Sequence, residues 1–557
     1  MAKRGPSSPP RLPVACGALG AFDPGVLERI AAALGPELAE AHRDEVSALW
    51  IDRPPIEWED GRLARGLAWS ERLPVHAHGV HSWPDAARAG ALGMAVEGDR
   101  RTVHASESGA GPLYWTRVGD AIYFATAIAP LAVAGAGSLT PDWESWASIV
   151  ALGFACADGT PFGGVKRLDP LGTLTVDGHA APAAHAGELS WAEVEPDDAP
   201  DLPAEVVDRV RDELDSLDHT RNLICPLTGG FDSRLLACLL SERHPDLQTF
   251  TINKDLGNER EEELARAVAA GLGLPHTVLD SGDRPFGDDL REAAELLDYE
   301  VVLRLYLTRL AGRLPDPSAI VVEGFDMFLK NIFATREVLD AASWREGAGI
   351  MFDQLTPAQQ RFEIFEPRAW AAVRSATRPR WTEGAARFDG HPSASTLAPY
   401  WHRMRRGISA SPTRLLGHRH EVAIPLVGSR FVRTALRASP RAKFRGAFYR
   451  QVLAVANAEV ATLPSTNDEL PKPERTRRRI ERSPEARRLY LELLEASPLR
   501  PWFSAGMEQA LERRKLGPVL RSGWGVGRVH ALCYLTLWAQ RHRDRLGEVD
   551  PSPLFGS

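Results

Sequence analysis

The sequence contains one short string whose residue types suit a phosphate-binding site, Leu227-Thr228-Gly229-Gly230-Phe231-Asp232-Ser233. Two adjacent glycines let backbone N–H groups converge on an anion without obstruction by Cβ atoms. The hydroxyls of Thr228 and Ser233 add donors, and the Asp232 carboxylate can hold a magnesium ion against phosphates. No Gly-Lys-Ser/Thr follows, so the string is not a Walker A loop. It predicts a phosphate-binding turn, with a plain Gly-Gly turn capped by Asp232 as the structural alternative.

Alternating strands and helices are predicted around this string. An apolar run over 222–227 leads into it, and a helix is expected to begin near Asp232. Further along we predict a strand over 249–253, a helix over 259–272, a strand from His276, a helix over 301–314 and a strand over 319–322. Such alternation predicts a parallel sheet covered by helices on both faces. The remainder, to about Arg543, is mostly helical by its periodicity.

The first part of the chain has a different sequence pattern, in which short apolar runs are separated by Gly, Pro and Asp. Gly111 to Thr126 predicts two strands joined by a turn, and Thr160 to Gly178 has the same pattern. An acidic, Pro-containing stretch over 193–205 is the best candidate for a linker. We therefore predict a disordered extension over 1–15, a domain over 16–192, a linker over 193–204 and a second domain over 205–557.

Composition narrows the classes of protein to consider. A length of 557 residues favours two domains, and a formal charge of -8 gives no sign of nucleic-acid binding. The five cysteines are scattered without a C-x-x-C pair, which argues against zinc and a disulfide framework and fits a reducing cytoplasm. The most apolar stretch, Ala121 to Gly137, is short and interrupted by Pro130, so no membrane span is expected. We predict a cytoplasmic protein without nucleic-acid or membrane partners.

The glycine-rich string resembles the pyrophosphate-binding PP-loop, S-G-G-x-D-S, of the ATP pyrophosphatase superfamily. Three further segments make the chain similar to the asparagine-synthetase branch: Thr249 to His276, Val322 to Asp326 (the family's G-E-G-x-D) and Ile424 to Lys472. The resemblance implies an adenine nucleotide α-hydrolase-like parallel sheet with a helical extension. It also implies ATP and Mg²⁺ as cofactors of a ligase that forms C–N bonds. Such an enzyme activates a carboxylate as an acyl-adenylate, releases AMP and pyrophosphate, and passes the acyl group to an amine.

The resemblance also implies a role for particular residues. Asp232 and Asp326 would bind magnesium, Lys472 would stabilise charge on the adenylate and the later oxyanion, and Glu323 would orient or deprotonate the amine. Two departures from the family pattern, Val322 in place of Gly and Met327 in place of an acidic residue, weaken an assignment to asparagine synthesis itself. The contacts to ATP and pyrophosphate would come from Leu227, Thr228, Gly229, Gly230, Asp232, Ser233, Ile252, Val322 and Gly324.

The N-terminal part resembles a class II glutamine amidotransferase domain, in Cys16 to Pro24, Ser106 to Ala132 and Thr160 to Leu168. This implies an Ntn-type αββα sandwich, and Cys16 marks the position of the family's nucleophile. Glutaminase chemistry needs that cysteine as the first residue, whereas Cys16 is internal unless fifteen residues are removed. The family's R-G-P-D and N-G-E segments are also absent. We therefore predict an inactive amidotransferase-like domain, with removal of a propeptide as the alternative.

Two branches of the family with inactive amidotransferase domains resemble this chain, the β-lactam synthetases and the lasso-peptide cyclases. Two features favour a lasso-type cyclase: the long segment after Lys472, and the stretch Pro464 to Asp468 that leads to this lysine. This interpretation implies macrolactam formation in a precursor peptide, with a leader-binding protein or peptidase as partner. A glutamine-hydrolysing asparagine synthetase, a small-molecule amide or β-lactam synthetase, and an inactive peptide-binding scaffold remain open.

Overall fold

The computed structural model describes most of the chain, and all statements below concern these residues. They are 14–35, 38–52, 56–60, 64–70, 91–132, 134, 139–252, 259–280, 285–302, 306–331, 333–359, 362–467, 483–521, 525–546 and 549–555.

The N-terminal part contains two six-stranded sheets, in the orders β10-β8-β9-β1-β3-β2 and β12-β11-β7-β6-β5-β4, and every pairing in them is antiparallel. The hairpin predicted over 111–126 is present as β8 and β9, and its turn contains Gly119 at φ 58°. The strands are β1 Ala15–Gly20, β2 Ala39–Arg43, β3 Ser47–Ile51, β4 Ile56–Asp60, β5 Ala64–Ser70, β6 Ala91–Glu97, β7 Arg100–His104, β8 Tyr114–Val118, β9 Ala121–Ala125, β10 Val165–Arg167, β11 Thr173–Asp177 and β12 Ala183–His185.

The two sheets pack face to face over an apolar core. Leu19 and Leu49 of the first sheet and Val103 and Leu174 of the second are fully buried in it. Alternate residues of the first sheet point to its other face, because side chains of a strand alternate between faces. That face is covered by the helices Pro24–Leu34 and Ile128–Ala132, whereas the helix Trp143–Leu152 packs against the C-terminal helices Pro367–Ala386 and Gly525–Arg541. The described residues therefore form helix, sheet and sheet layers, and the four-layer Ntn-type αββα arrangement stays a prediction.

The C-terminal part is built on a parallel sheet of five strands in the order β15-β14-β13-β16-β17. The predicted alternation of strands and helices is confirmed over 202–322. Its strands are β13 Leu223–Pro226, β14 Gln248–Ile252, β15 His276–Leu279, β16 Ile320–Val322 and β17 Glu421–Ala423, and the helices up to β16 are Leu202–Asp215, Phe231–Ser241, Glu259–Gly271, Phe286–Leu296 and Tyr306–Arg313.

Two predicted boundaries in this region were wrong. The helix before β13, which the sequence predicts over 205–217, begins at Leu202, because Pro203 suits the first turn of a helix, where no N–H is needed. The helix expected from 301 runs from Tyr306, and Val301 instead forms an isolated antiparallel bridge with Phe154 of the N-terminal part. The bridge shows that the two parts of the chain pack against each other.

The rest of the C-terminal part is mostly helical, as its periodicity predicts. None of the described helices combines the length and apolar character needed to cross a bilayer. The α-helices are Arg336–Asp340, Trp344–Leu355, Pro367–Ala386, Ala394–Pro399, Arg405–Ile408, Ser429–Leu436, Ala447–Ala456, Ala458–Ala461, Pro484–Glu495, Ala505–Glu512, Gly517–Arg521, Gly525–Arg541 and Ser552–Phe555, with π-helical segments at Tyr400–Met404 and Ser409–Leu416 and 3-10 turns at Ser190–Glu193, Pro425–Val427, Phe444–Gly446 and Arg500–Trp502.

Candidate functional site

The glycine-rich string joins β13 to the helix Phe231–Ser241, at the carboxyl edge of the parallel sheet. The loop is braced from within: the Thr228 N–H donates to Ser233 Oγ at 3.0 Å, and the Gly230 N–H donates to Thr228 Oγ1 at 3.2 Å. The two hydroxyls predicted to face phosphate therefore also fix the loop. Parallel sheets commonly bind ligands at this edge, where the N-terminus of a helix favours an anion.

Glycine is required where the end of β16 meets this loop. A Cβ on Gly324 would lie 2.6 Å from the backbone nitrogen of Ser233 and 2.7 Å from the carbonyl carbon of Asp232. These are backbone atoms, which cannot turn aside as a flexible side chain can. Gly324 therefore lets the segment that follows β16 approach the loop closely enough to bring its acidic residues beside Asp232.

Substitution Gly324→Ala is expected to lower the rate of ATP-dependent pyrophosphate release by at least about a hundredfold. A displacement of about 1 Å among the groups of a catalytic site can slow a reaction by this factor. The backbone of the loop must move to accept the methyl group. The measurement is pyrophosphate release by the purified variant at saturating ATP. Gly527→Ala is the control, since nothing lies within 4 Å of the added Cβ there. Unchanged release by Gly324→Ala would contradict the assignment of this contact to the site.

Two carboxylates meet beside the loop. The Asp326 N–H donates to Asp232 Oδ2 at 3.4 Å, and the carboxylate of Asp326 accepts from the N–H groups of Phe328 and Leu329. Burial, and then the charge of Asp232, raise the pKa of Asp326 to about 7. Close carboxylates in a buried setting oppose each other's ionisation, so the pair favours a cation.

A magnesium ion fits this pair. Mg²⁺ is usually held by one or two carboxylates, and water and substrate phosphates complete its octahedron. Within the described ranges, no group of three or more His, Cys, Asp or Glu residues could hold a metal by itself. Asp232 and Asp326 would thus supply the protein's share of the ligands, and the phosphates of a nucleotide on the loop would supply others.

Three further side chains near the carboxylates were not predicted from the sequence. Lys330 donates to both oxygens of Asp232, at 2.6 and 2.8 Å. Lys443 is fully buried, and burial lowers its pKa to about 7 although the charge of Asp326 opposes this shift. Burial, with the charges of Asp232 and Asp326, raises the pKa of Tyr449 well above its usual value. Lys330 lies outside the strings that resemble the family. Lys443 and Tyr449 lie within the segment Ile424 to Lys472, but nothing in that resemblance singles them out, so the fold alone places them beside the carboxylates.

A segment far along the chain covers the loop. The Thr466 N–H and Ser465 Oγ both donate to the Gly229 carbonyl, each at 2.8 Å, and the Phe231 N–H donates to Asn467 Oδ1 at 3.1 Å. A Cβ on Gly229 would lie 2.6 Å from Thr466 Cγ2. The covering segment, residues 463–467, thus fixes the chain five residues before Lys472, which itself lies outside the described residues.

The remaining predicted residues line the same edge of the sheet. Leu227, Ile252 and Val322 are buried, so only their backbone atoms are placed to meet a nucleotide. Glu323 directly follows β16, where its N–H donates to the Ala423 carbonyl at 2.9 Å. Its side chain is also buried. The fold therefore gathers these residues with the loop and the carboxylates, while their chemical roles remain predictions.

Comparison with known proteins bears on this region. Residues 208–310 match the family described as asparagine synthase. This asparagine synthase segment contains the glycine-rich loop and Asp232, and it ends before Asp326. A 172-residue stretch is 28% identical to asparagine synthetase [glutamine-hydrolyzing] 1 of Bacillus subtilis (strain 168), over 30% of this chain and 26% of that protein. The match thus spans about a quarter of the relative.

A solved structure was also matched, glutamine phosphoribosylpyrophosphate amidotransferase from B. subtilis complexed with ADP and GMP. The alignment covers 61% of this chain and 79% of that chain, at 8% identity and a TM-score of 0.20. A TM-score this low carries no conclusion about fold. The N-terminal sheets are therefore defined by their own strand order and packing.

Cys16 lies inside β1, where its neighbours in the sheet are Trp50 on β3 and Ala125 on β9. Its side chain is fully buried in the apolar core between the first sheet and its helices, and burial raises the pKa of its thiol to about 12. A nucleophilic cysteine instead needs a lowered pKa and access to substrate. Ala15 is also paired, since the Thr126 N–H donates to its carbonyl at 3.0 Å. In this arrangement Cys16 has the surroundings of a core residue.

Proposed function

We propose that this protein is an ATP-dependent ligase that forms an amide bond by way of an acyl-adenylate. The observation that carries the proposal is the meeting of Asp232 and Asp326 beside the glycine-rich loop of an asparagine synthase segment. A divalent ion bound there would neutralise charge on the phosphates of ATP. The donors of the loop would hold the pyrophosphate that leaves as the substrate carboxylate attacks the α-phosphorus.

The second half of the reaction is the transfer of the acyl group to an amine. Glu323 would orient the amine or take its proton, a role open to a carboxylate within hydrogen-bond reach of the amine. Lys472 would stabilise the oxyanion as the amine attacks and AMP leaves. The covering segment supports this role, because it ties the chain that leads to Lys472 to the loop that would bind ATP.

We further propose that the amine is the N-terminus of a peptide and that the carboxylate is an Asp or Glu side chain of the same peptide, so that the product is a lasso-type macrolactam. The buried thiol of Cys16 supports an acceptor other than ammonia from glutamine. Residues 16–192 would then serve as an inactive amidotransferase-like domain and 205–557 as the synthetase, with 1–15 an extension and 193–204 a linker. The expected partners are a precursor peptide and a leader-binding protein or peptidase, in the cytoplasm.

The test is mass spectrometry of the precursor peptide encoded nearest the gene, after incubation with the protein, its processing partners, ATP and Mg²⁺. Closure of the ring removes one water from the peptide and produces one AMP for each ring. An Asp232→Ala control should give neither. Production of AMP without any change of the peptide would reject the peptide substrate and leave a small-molecule amine as the acceptor.

Glutamine-dependent asparagine synthesis is the second candidate, and the similarity to the Bacillus subtilis asparagine synthetase favours it. This reaction would need glutamine hydrolysis at Cys16. Assay of asparagine and glutamate formation from aspartate, glutamine and ATP separates the two candidates. Under our proposal neither product forms.

Substitution Cys16→Ala is expected to leave ATP-dependent AMP formation unchanged, within about twofold, because a buried thiol with a raised pKa takes no part in the chemistry. Glutamate release from glutamine should be absent both before and after the change. Cys533→Ala, at another fully buried cysteine, controls for the effect of a lost core sulfur on stability. Glutamine hydrolysis that disappears only in Cys16→Ala would show an active amidotransferase.

A further inference from the structure

We propose that Lys330 is the resident counter-cation of the carboxylate pair, and that it keeps divalent metal ions from binding until a nucleotide arrives. This inference rests on the proposed function, because it concerns the predicted metal site. It adds a residue that neither the resemblance nor the comparisons assign. It also sets an order of binding, in which metal and nucleotide enter together.

The contact between Lys330 and Asp232 carries the proposal. Its ammonium lies 2.6 Å from one carboxylate oxygen of Asp232 and 2.8 Å from the other, so it uses the two atoms that a metal ion would need. Both side chains are 16% exposed, so the pair is only partly screened by water. A metal ion can reach Asp232 only if the ammonium leaves or shares an oxygen.

Amines already lie beside the carboxylate pair. Lys330 contacts both oxygens of Asp232, and it lies within range to lower the pKa of Asp326, which burial and the charge of Asp232 raise. Lys443 adds a second amine, buried on the Asp326 side, and its Nζ has no hydrogen-bond partner among the residues that the structure describes. The aromatic ring of Tyr449 lies 5.9 Å from Lys330 Nζ and closes another side of the site. A divalent ion would therefore enter a cluster in which an ammonium already occupies the oxygens of Asp232.

Nucleotide phosphates remove that obstacle. A triphosphate brings several negative charges, and it offers new acceptors to the ammonium of Lys330, which is a flexible point charge with three donors. The backbone beside Lys330 is held in place, since Phe328 and Leu329 are fully buried and donate to Asp326. The change can thus be confined to the lysine side chain, which exchanges Asp232 for phosphate while the metal takes its place.

The experiment measures binding of Mn²⁺ to the nucleotide-free protein, by the electron paramagnetic resonance signal of the free ion. Lys330→Met is expected to bind Mn²⁺ about ten- to a hundredfold more tightly than the unaltered protein, because one opposing charge beside the ion is removed. Lys330→Arg keeps the charge and should bind as weakly as the unaltered protein. Lys166→Met is the matched control, since Lys166 makes a similar contact, 2.9 Å from Asp158, on the surface.

Addition of a non-hydrolysable ATP analogue completes the test. With the analogue present, the unaltered protein should bind Mn²⁺ at least as tightly as Lys330→Met, because the ammonium now contacts phosphate. Equal Mn²⁺ affinity of the unaltered protein and Lys330→Met without nucleotide would overturn the proposal, provided that both have the same thermal midpoint. Asp232→Asn should weaken Mn²⁺ binding in either background. Mn²⁺ binding is measured without turnover. The proposal for Lys330 can therefore fail while AMP is formed, and it can hold while AMP is absent.

Discussion

Substitution Asp232→Ala is expected to lower AMP and pyrophosphate formation by about a thousandfold or more, because a metal ligand at the reacting phosphates is lost. Asp232 lies at the start of the helix Phe231–Ser241 and accepts both the Asp326 N–H and the ammonium of Lys330. Its removal takes away half of the carboxylate pair. The rate is measured with saturating ATP and substrate, so that weaker binding does not mask the chemical step.

Two variants make this result interpretable. Asp232→Asn keeps the shape of the side chain and is expected to lose nearly as much activity, which separates loss of charge from loss of packing. Asp340→Ala removes a surface carboxylate whose Oδ1 lies 2.6 Å from Arg441, and should leave the rate unchanged. Retention of more than a tenth of the AMP formation in Asp232→Asn would contradict a metal-binding role.

Substitution Glu300→Gln is expected to destabilise the protein by about 3–5 kcal/mol, the usual cost of removing one partner from a buried ion pair. Glu300 is fully buried, and its carboxylate contacts Arg167 at 2.8 Å, Arg406 at 3.3 Å, Arg414 at 3.4 Å and the Tyr114 hydroxyl at 2.7 Å. Arg167 and Tyr114 belong to the N-terminal sheets, whereas Glu300, Arg406 and Arg414 belong to the C-terminal part. The substitution would leave buried guanidinium groups without their common counter-charge.

The measurement is urea denaturation followed by tryptophan fluorescence. Glu242→Gln is the control, since its contact with Arg211 is exposed and worth at most about 1 kcal/mol. Burial alone would raise the pKa of Glu300, but Arg406, Arg167 and Arg414 together lower it to about 2. The contribution of Glu300 should therefore be fully present above its ordinary pKa of 4.5 and be lost as the pH falls through about 2. Equal denaturation midpoints for Glu300→Gln and Glu242→Gln would contradict the account of this cluster.

Much of the sheet around the site could be predicted from sequence because its signals are local. The strands β13 to β16 are short runs rich in apolar and β-branched residues, and three of the four helices between them were predicted from their period. The strand β17 was not predicted, since Glu421–Ala423 is too short for a pattern and is defined by its pairing with β16. The helix Phe286–Leu296 was also missed, although its first turn carries Asp288 and Asp289, which favour a helix N-terminus.

The residues of the site also differ in how well the sequence predicts them. The loop and Asp326 lie in contiguous strings, so the spacing of their residues is visible in the sequence. Lys330 and Asn467 are single residues whose importance comes from contacts with Asp232 and Phe231, and those contacts depend on the whole fold. The cluster of arginines around Glu300 could not be predicted either, because its members lie in separate segments of the sequence. Sequence patterns thus indicate the chemistry, while the fold supplies the counter-charges.

The most direct test of the central claim is the identity of the nucleotide product. The protein is incubated with ATP, Mg²⁺ and the candidate precursor peptide, and the nucleotides are separated and quantified beside an Asp232→Asn control. We predict AMP and pyrophosphate in equal amounts, matched by dehydrated peptide and absent from the control. Formation of ADP and phosphate, or no AMP with peptide, aspartate or small-molecule amines, would contradict the proposal that this protein forms amide bonds through an acyl-adenylate.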